Sequence, residues 1–406
     1  MEVWIESPFD SLPVEGYRKQ RYWLMAEAFV AAGHSVVYWT SDFSHANKRK
    51  RKVQVKVRAE GQSRGPDEGK GDGSGRDFKL VTVPTRPYGK NVCLARIRSH
   101  REYAREWGRS AEAAVRDKSL AKPDLIVVAT PPLSTGDVAI RLARKFGAKL
   151  VVDVQDAWPE TFYRLLPRGF GWLGGLILSG MHRAARRLYR AADLVTGVCD
   201  RYAALVRRAG AKDYYRAYLG IEIGGGLAAD GEGAGRRGES AQTALRLAYV
   251  GNLGASYDIG TVVAGVRRLR QELGEGITLD VAGFGGTVAA EDGVRFHGML
   301  GRKELDALLA KCDIGLVPMK SDSFVGVPNK LCEYAAAGLR IVSSLTGETQ
   351  ALLEKYRCGA TYRWGDAASL AAAVRAARTC ESARTMCERE FDAARIYRDY
   401  VERLVS

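Results

Sequence analysis

Residues 327–338 read VPNKLCEYAAAG, and their order suggests a short helix with chemistry at its start. Pro328 suits the first helical position and Gly338 the residue just past the end, which predicts a helix over about Pro328 to Ala337. Gly326 and Val327, which precede it, have no side-chain acceptor for the first helical amides. Lys330 falls in the first turn, where the helix dipole disfavours a cation. An uncapped helix start armed with an ammonium group is the arrangement that an external anion completes. Glu333 follows Lys330 by three residues, so both project from one face. A cation for phosphate beside a carboxylate for two vicinal hydroxyls suits a nucleoside diphosphate. The alternative is a solvated Lys–Glu pair on a surface helix, which is common and weak.

The surrounding elements position that helix. An apolar run at Ile314–Val317 precedes it and another at Leu339–Leu345 follows, giving one strand–helix–strand unit of a parallel sheet. Upstream, strand signals at Val3–Ile5, Ser35–Thr40, Phe78–Val83, Leu125–Ala129 and Leu150–Val154 alternate with helical spacing at Tyr17–Ala32 and Leu94–Val115. The continuous apolar strands are those of buried parallel sheets, and the pattern is α/β, doubly wound. A basic, glycine-rich insertion is expected at His45–Arg76, with KRKRK at 48–52. Glu222–Ser240 is glycine-rich and almost free of bulky apolar side chains, which marks a linker and a domain boundary. The second half restarts with Leu245–Val250 (strand), Ile259–Leu273 (helix) and Ile277–Ala282 (strand). Trp172–Tyr189 is expected as a core helix, with an interfacial membrane helix as the alternative, and Cys387–Val405 as a terminal amphipathic helix. The expected division is 1–222, a linker at 223–240, 241–384, and a helix at 385–406 that packs back toward the first domain.

Ligands of open parallel sheets gather at the carboxyl ends of strands, so four loops stand out. Ser7–Arg18 contains Gly16, which permits close backbone approach, or simply makes a turn. Asp153–Glu160 (DVQDAWPE) sets Asp156 and Glu160 beside Trp158, for substrate hydroxyls or a base, with helix capping by Asp156 as the alternative. Gly251–Asp258 (GNLGASYD) offers two glycines for phosphate, a weak motif alone. Gly283–Gly286 (GFGG) offers Phe284 to stack on a base, or a plain strand-end turn. Neither GxGxxG nor GxxxxGK[ST] occurs, which weighs against dinucleotide and P-loop sites.

With 406 residues, 46% hydrophobic and 27% charged, the chain is an ordinary globular one of about two domains. The start, MEVWIESPFD, lacks the pattern of a signal peptide, and the apolar segment Gly169–Met181 is too short to span a bilayer, so a cytoplasmic location is expected. Seven cysteines without paired spacing and five scattered histidines argue against disulfides and a zinc site. The net charge of +15 calls for an anionic partner; without a nucleic-acid motif, phosphorylated substrates and an anionic membrane surface fit better than nucleic acid.

Together PNKLCEYAAAGLRIVSS, CDIGLVP, GNLG and AGFGG resemble the retaining glycosyltransferases of family 4, and VVDVQDAWPE is similar to a segment of the bacterial surface-polysaccharide branch that includes fucosamine transferases. The resemblance implies a GT-B fold, two Rossmann-like domains facing across a cleft. It implies that Glu333 holds the donor ribose and that Lys330, Asn329 and the amides near Gly326 and Val327 meet the phosphates. Gly16 would lie against the diphosphate, and Gly251 and Asn252 would open the phosphate loop. Four residues depart from the family pattern. Val325 stands where the first glutamate of the E-x7-E motif belongs, Asn252 and Asp258 stand near the usual Arg and Lys, and Asp156 stands in for a catalytic-region histidine. The expected function is retaining, metal-independent transfer from a nucleotide-sugar, UDP-linked by expectation, to a glycan or lipid-linked acceptor in surface polysaccharide synthesis, without a cofactor. Lys330, Glu333 and Asp156 would carry the chemistry. A GT-B nucleotide-sugar epimerase and a catalytically silent nucleotide-sugar-binding protein are the alternatives.

Overall fold

The computed structural model describes residues 1–51, 78–91, 93–165, 171–223, 244–254, 256–274, 276–286, 288, 291–320 and 323–406. Most of the expected basic insertion (52–76) and of the expected linker (224–240) lies outside the described residues. The chain divides into two compact units. Unit 1 comprises Met1–Val198, Tyr202–Ala217 and Tyr397–Ser406, and unit 2 comprises Cys199–Arg201 and Tyr218–Ile396.

Among the described residues, the sheet of unit 1 has seven strands. They are β1 (Glu2–Glu6), β2 (Ser35–Ser41), β5 (Lys79–Val83), β6 (Leu125–Thr130), β7 (Lys149–Val154), β8 (Leu194–Gly197) and β9 (Tyr214–Arg216), with a short ribbon of β3 (Phe43–Ser44) and β4 (Arg49–Lys50) beside them. The order is β5-β2-β1-β6-β7-β8-β9 and every pairing in this sheet is parallel. All six residues of β6 are buried, as expected of a strand covered on both faces.

Unit 2 repeats the plan with β10 (Leu245–Asn252), β11 (Ile277–Phe284), β12 (Val294–Gly298), β13 (Ile314–Val317), β14 (Arg340–Ser343) and β15 (Gly359–Thr361), ordered β12-β11-β10-β13-β14-β15 and parallel throughout. Its core joins Leu247, Tyr249, Leu279, Val281, Ile314 and Leu316 of the sheet to Val262, Val266 and Leu269 of the helix Ile259–Leu273. Asp258 caps that helix through the Thr261 amide at 3.1 Å, so the residue that stands near a family phosphate contact is a helix cap here.

In both sheets the strand order reverses once, between β1 and β6 and between β10 and β13. These switch points open crevices at the carboxyl ends of the strands, where doubly wound folds bind ligands.

Four expected boundaries shift. The first helix begins at Arg21 rather than Tyr17, because residues 7–20 form a loop held in place by Arg51. Trp172–Tyr189 is two helices, Gly171–Ile177 and Ser179–Ala191. The terminal helix runs Ala393–Val405, after a wide turn at Cys387–Phe391 and an extended Asp392. Pro328 is the N-cap residue, with the helix spanning Asn329–Ala336. Among the described residues no disulfide joins the cysteines, and no group of three His, Cys, Asp or Glu is placed to hold a metal ion. No described helix is long and apolar enough to cross a membrane.

Candidate functional site

Unit 2 assembles its site at the β10–β13 switch point. The helix Asn329–Ala336 starts beyond β13 with no side chain capping it. Among the described residues, no acceptor takes the amides of Asn329 and Lys330. Lys330 does not reach solvent like an ordinary surface lysine. Its side chain is 7% exposed and its ammonium lies 3.9 Å from the centre of the Tyr257 ring and 5.1 Å from that of Tyr249. Burial pushes its pKa down to about 8, and the Glu333 carboxylate acts in the opposite direction.

The ammonium reaches the end of β10. A Cβ at Gly251 would stand 2.6 Å from Lys330 Nζ, and the Gly251 φ of +126° is one that L side chains rarely adopt. Glycine there is what lets the lysine head reach the strand end. The hydroxyl of Tyr334, on the same helix, accepts the Val250 amide at 2.8 Å, which ties the helix to β10. Gly315 makes room for the Tyr334 ring on β13, since a Cβ there would lie 2.4 Å from ring carbons.

The rest of the expected phosphate segment is packed. Gly326 offers its carbonyl to the Thr349 hydroxyl at 2.6 Å, and a Cβ on it would meet Cys199 at 2.9 Å and Glu348 at 3.0 Å. Val327 is 2% exposed. Asn329 is exposed and Glu333 is half-buried. The Asn252 side chain accepts the Gly254 amide at 2.6 Å, which shapes its own loop. Phe284 is 53% exposed at the end of β11, and its carbonyl accepts the Leu253 amide, so the GFGG and GNLG loops are joined.

Sequence reasoning missed Glu348. Its carboxylate accepts the Asp200 amide and the Tyr218 hydroxyl, the latter at 2.7 Å, and lies beside Gly326. It also borders a cavity of about 820 Å³ at the carboxyl ends of β14 and β15, with Ser323, Ser344, Arg363 and Trp364. No local signal identified it, because Asp200 and Tyr218 are distant in the sequence.

In unit 1, Gly16 closes a short turn with φ +84°. The loop that carries it is clamped by buried Arg51, which donates to the carbonyls of Ser41 and Asp10 and pairs with Glu15. Asp156 follows β7, where its two oxygens accept from Trp158 Nε1 at 3.1 Å and the Thr161 hydroxyl at 2.9 Å. The carboxylate therefore braces its own loop. Deeper in the same unit, Arg21 makes a two-pronged pair with Asp153 (2.7 and 2.8 Å), and Tyr22 and Thr196 also donate to that carboxylate. These bonds hold Asp153 below the usual carboxylate range despite complete burial.

The comparisons with known proteins agree with this architecture. Residues 19–217 match the model of the glycosyl transferase 4-like domain, and residues 244–379 match that of the glycosyl transferases group 1. The protein belongs to the group 1 glycosyltransferases. Among solved structures, sucrose-phosphate synthase of Thermosynechococcus elongatus is 14% identical, with 99% of this chain and 94% of that chain covered and a TM-score of 0.59. HepE of Anabaena, in complex with UDP and glucose, is 13% identical over 100% and 99% of the two chains, with a TM-score of 0.59. The E. coli trehalose-6-phosphate protein bound with UDP-2-fluoro glucose is 13% identical over 99% and 96%, with a TM-score of 0.60. These likenesses establish the GT-B fold of this glycosyltransferase. No curated protein matches the sequence.

Proposed function

We propose that this glycosyltransferase takes its sugar from a UDP-linked donor and transfers it, with retention of anomeric configuration, to a glycan or lipid-linked acceptor in bacterial surface polysaccharide synthesis. One observation carries the donor assignment. The uncapped start of Asn329–Ala336 and the buried Lys330 ammonium converge on Gly251 at the β10–β13 switch point. Positive helix end and ammonium together would stabilise the negative charge that grows on the departing diphosphate. Metal-independent transfer without a cofactor is the reaction this charge arrangement suits. Glu333, one turn along, is assigned the ribose hydroxyls, and Phe284, exposed at the end of β11, the base. Asn329, Asn252 and the 326–327 backbone complete the assigned contacts. Asp156 in unit 1 is assigned to the transfer reaction through the loop that it braces, and Gly16 is assigned to binding, as a turn that permits close backbone approach to a diphosphate. The UDP-bound state of HepE supports the choice of nucleotide.

A peripheral position on the inner face of the plasma membrane belongs to the same proposal. Exposed Leu94, Ile97, Leu176 and Ile177 beside arginine-rich helices, on a chain of net charge +15, support it.

The test is a thermal-shift panel of UDP-, GDP- and TDP-sugars against the wild type and Glu333→Ala, since a ligand of the folded state raises apparent stability by mass action. UDP-sugars should give the largest shift and Glu333→Ala should lose most of it. Equal shifts from all three nucleotides, or an unchanged shift in the variant, refute the donor site.

A further inference from the structure

A second cationic crevice lies at the carboxyl ends of the strands of unit 1, built from residues far apart in sequence. Phe9 follows β1, His45 and Lys48 lie between β3 and β4, and Tyr88 follows β5. Arg96 and His100 come from the start of the helix Leu94–Arg116, and Trp158 follows β7. The Arg96 guanidinium faces three aromatic rings, 5.4 Å from the centre of Phe9, 5.9 Å from Tyr88 and 5.3 Å from Trp158. The Lys48 ammonium lies 4.9 Å from the Tyr88 ring and 3.2 Å from His45 Nδ1.

Charge is unbalanced here. Among the described residues, neither Lys48 nor Arg96 forms an ion pair, although Asp156 acts on Arg96 from farther off. Arg96 donates to neutral acceptors, the Asn91 carbonyl at 2.8 Å and His100 Nε2 at 3.2 Å. Burial pushes His45 and His100 down to about 3, so neither adds charge near neutral pH. The Lys48 ammonium is itself pushed down to about 8, by burial and then by Arg96. Two like charges are thus held together in a half-buried aromatic setting, which costs free energy unless an anion joins them.

The helix that carries Arg96 makes the same demand. Arg96 is its third residue, and the first turn holds no acidic side chain. The cap is the Cys93 sulfur, a weak acceptor, at 3.4 Å from the Arg96 amide. Helix end and guanidinium therefore add positive potential to one place. His45 Nδ1 also lies 2.5 Å from the Tyr88 hydroxyl, so the ring and the phenol form one polar group beside the two cations. Phe9 and Trp158 are half-buried beside this charge, and such ring faces suit the apolar face of a sugar.

We propose that this crevice binds a phosphate or pyrophosphate group on the acceptor, with Lys48 and Arg96 as its charged contacts and Phe9 and Trp158 against the attached sugar. Two cations match a phosphate dianion better than the single charge of a uronate. The inference rests on the transferase reading, which assigns the donor diphosphate to unit 2 and so leaves this anion site for the second substrate.

The experiment titrates the full chain, with UDP at saturation, with glucose 1-phosphate and separately with glucuronate, following tryptophan fluorescence and heat of binding. Glucose 1-phosphate should bind, with an affinity that falls steeply as salt is raised. Lys48→Gln and Arg96→Gln should each weaken it at least about tenfold, the loss expected when one charged contact to an anion is removed, while UDP affinity stays unchanged. Lys48→Arg should bind as the wild type does. Absence of wild-type binding, or wild-type affinity in both glutamine variants, overturns the proposal. Glucuronate binding tighter than glucose 1-phosphate, with the same dependence on Lys48 and Arg96, overturns the phosphate assignment. If Arg96→Gln does not fold, half-exposed Lys48→Gln and the wild-type salt dependence decide the matter. Tighter binding of a farnesyl diphosphate-linked sugar than of glucose 1-phosphate assigns the phosphate to a lipid carrier, and equal binding assigns it to a free sugar phosphate. A wild type that binds glucose 1-phosphate through Lys48 and Arg96 but never binds UDP refutes the donor reading and leaves the anion crevice standing.

Discussion

Lys330→Met should separate function from stability, because the lysine is badly placed for folding and well placed for a phosphate. The substitution removes the charge and keeps an unbranched side chain against Tyr249 and Tyr257. In the folded chain the ammonium titrates at about 8 instead of 10.5, so burial disfavours the charged form by about 3 kcal/mol, from about 1.4 kcal/mol per pH unit. The two ring faces return about 1–2 kcal/mol of that through cation–π attraction. The variant should then be about 1–2 kcal/mol more stable at pH 7, a rise in Tm of roughly 2–8 °C for a unit of this size. The sign follows from proton uptake. Below pH 8 both folded and unfolded chains hold the proton and the penalty is present in full. Between pH 8 and 10.5 only the unfolded chain holds it, so wild-type stability recovers and the gap to the variant closes. Transfer moves the other way. An ammonium about 4 Å from a phosphate contributes roughly 4 kcal/mol at an effective dielectric constant of 20, so transfer should fall by about two to three orders of magnitude. The assay pairs thermal melts from pH 7 to 10 with initial transfer rates from a UDP-sugar at pH 7. A variant that melts several degrees lower while losing activity in proportion makes Lys330 a structural residue. Near-normal transfer refutes the donor site.

Other outcomes follow from single contacts. Gly251→Ala sets a Cβ against Lys330 Nζ at a φ disfavoured for alanine, so transfer should fall about a hundredfold with the chain still folded by circular dichroism, and unchanged rates would show that the lysine head need not lie there. Asp153→Asn leaves the buried Arg21 guanidinium poorly matched and should cost about 3–5 kcal/mol in urea unfolding, whereas a loss under about 1 kcal/mol would mean the pair is dispensable. The lowered Asp153 pKa gives the wild type stability that is present above the ordinary carboxylate range and lost as pH falls through the folded value, so the variant should show a flatter acid limb. Asp156→Asn keeps an oxygen for Thr161 and should hold transfer within about tenfold, while a hundredfold fall would give the carboxylate a direct part in the reaction.

Much of the scaffold was legible in the sequence because its signals are local. The apolar runs at 125–129, 150–154 and 314–317 are strands, since only segments buried on both faces tolerate such continuity. The helix Ile259–Leu273 has the boundaries that its apolar spacing predicts, and Asp258, which stands near a basic position of the family pattern, is its cap. The helix beginning near Pro328 was visible from its own proline and glycine, and with it the candidate roles of Lys330 and Glu333. Residue types and spacing along one segment are enough to state that a helix start is uncapped and positively charged.

Only the tertiary structure decided what those side chains face. Burial depends on neighbours that arrive from other strands, so the sequence left a solvated surface pair open as the alternative for Lys330, whereas Gly251, Tyr249 and Tyr257 enclose it. The same reason hid Glu348, whose partners Asp200 and Tyr218 lie more than a hundred residues away. It also hid the crevice of Lys48 and Arg96, where four separate strand-end segments converge because parallel strands send all their carboxyl-end loops to one edge of the sheet.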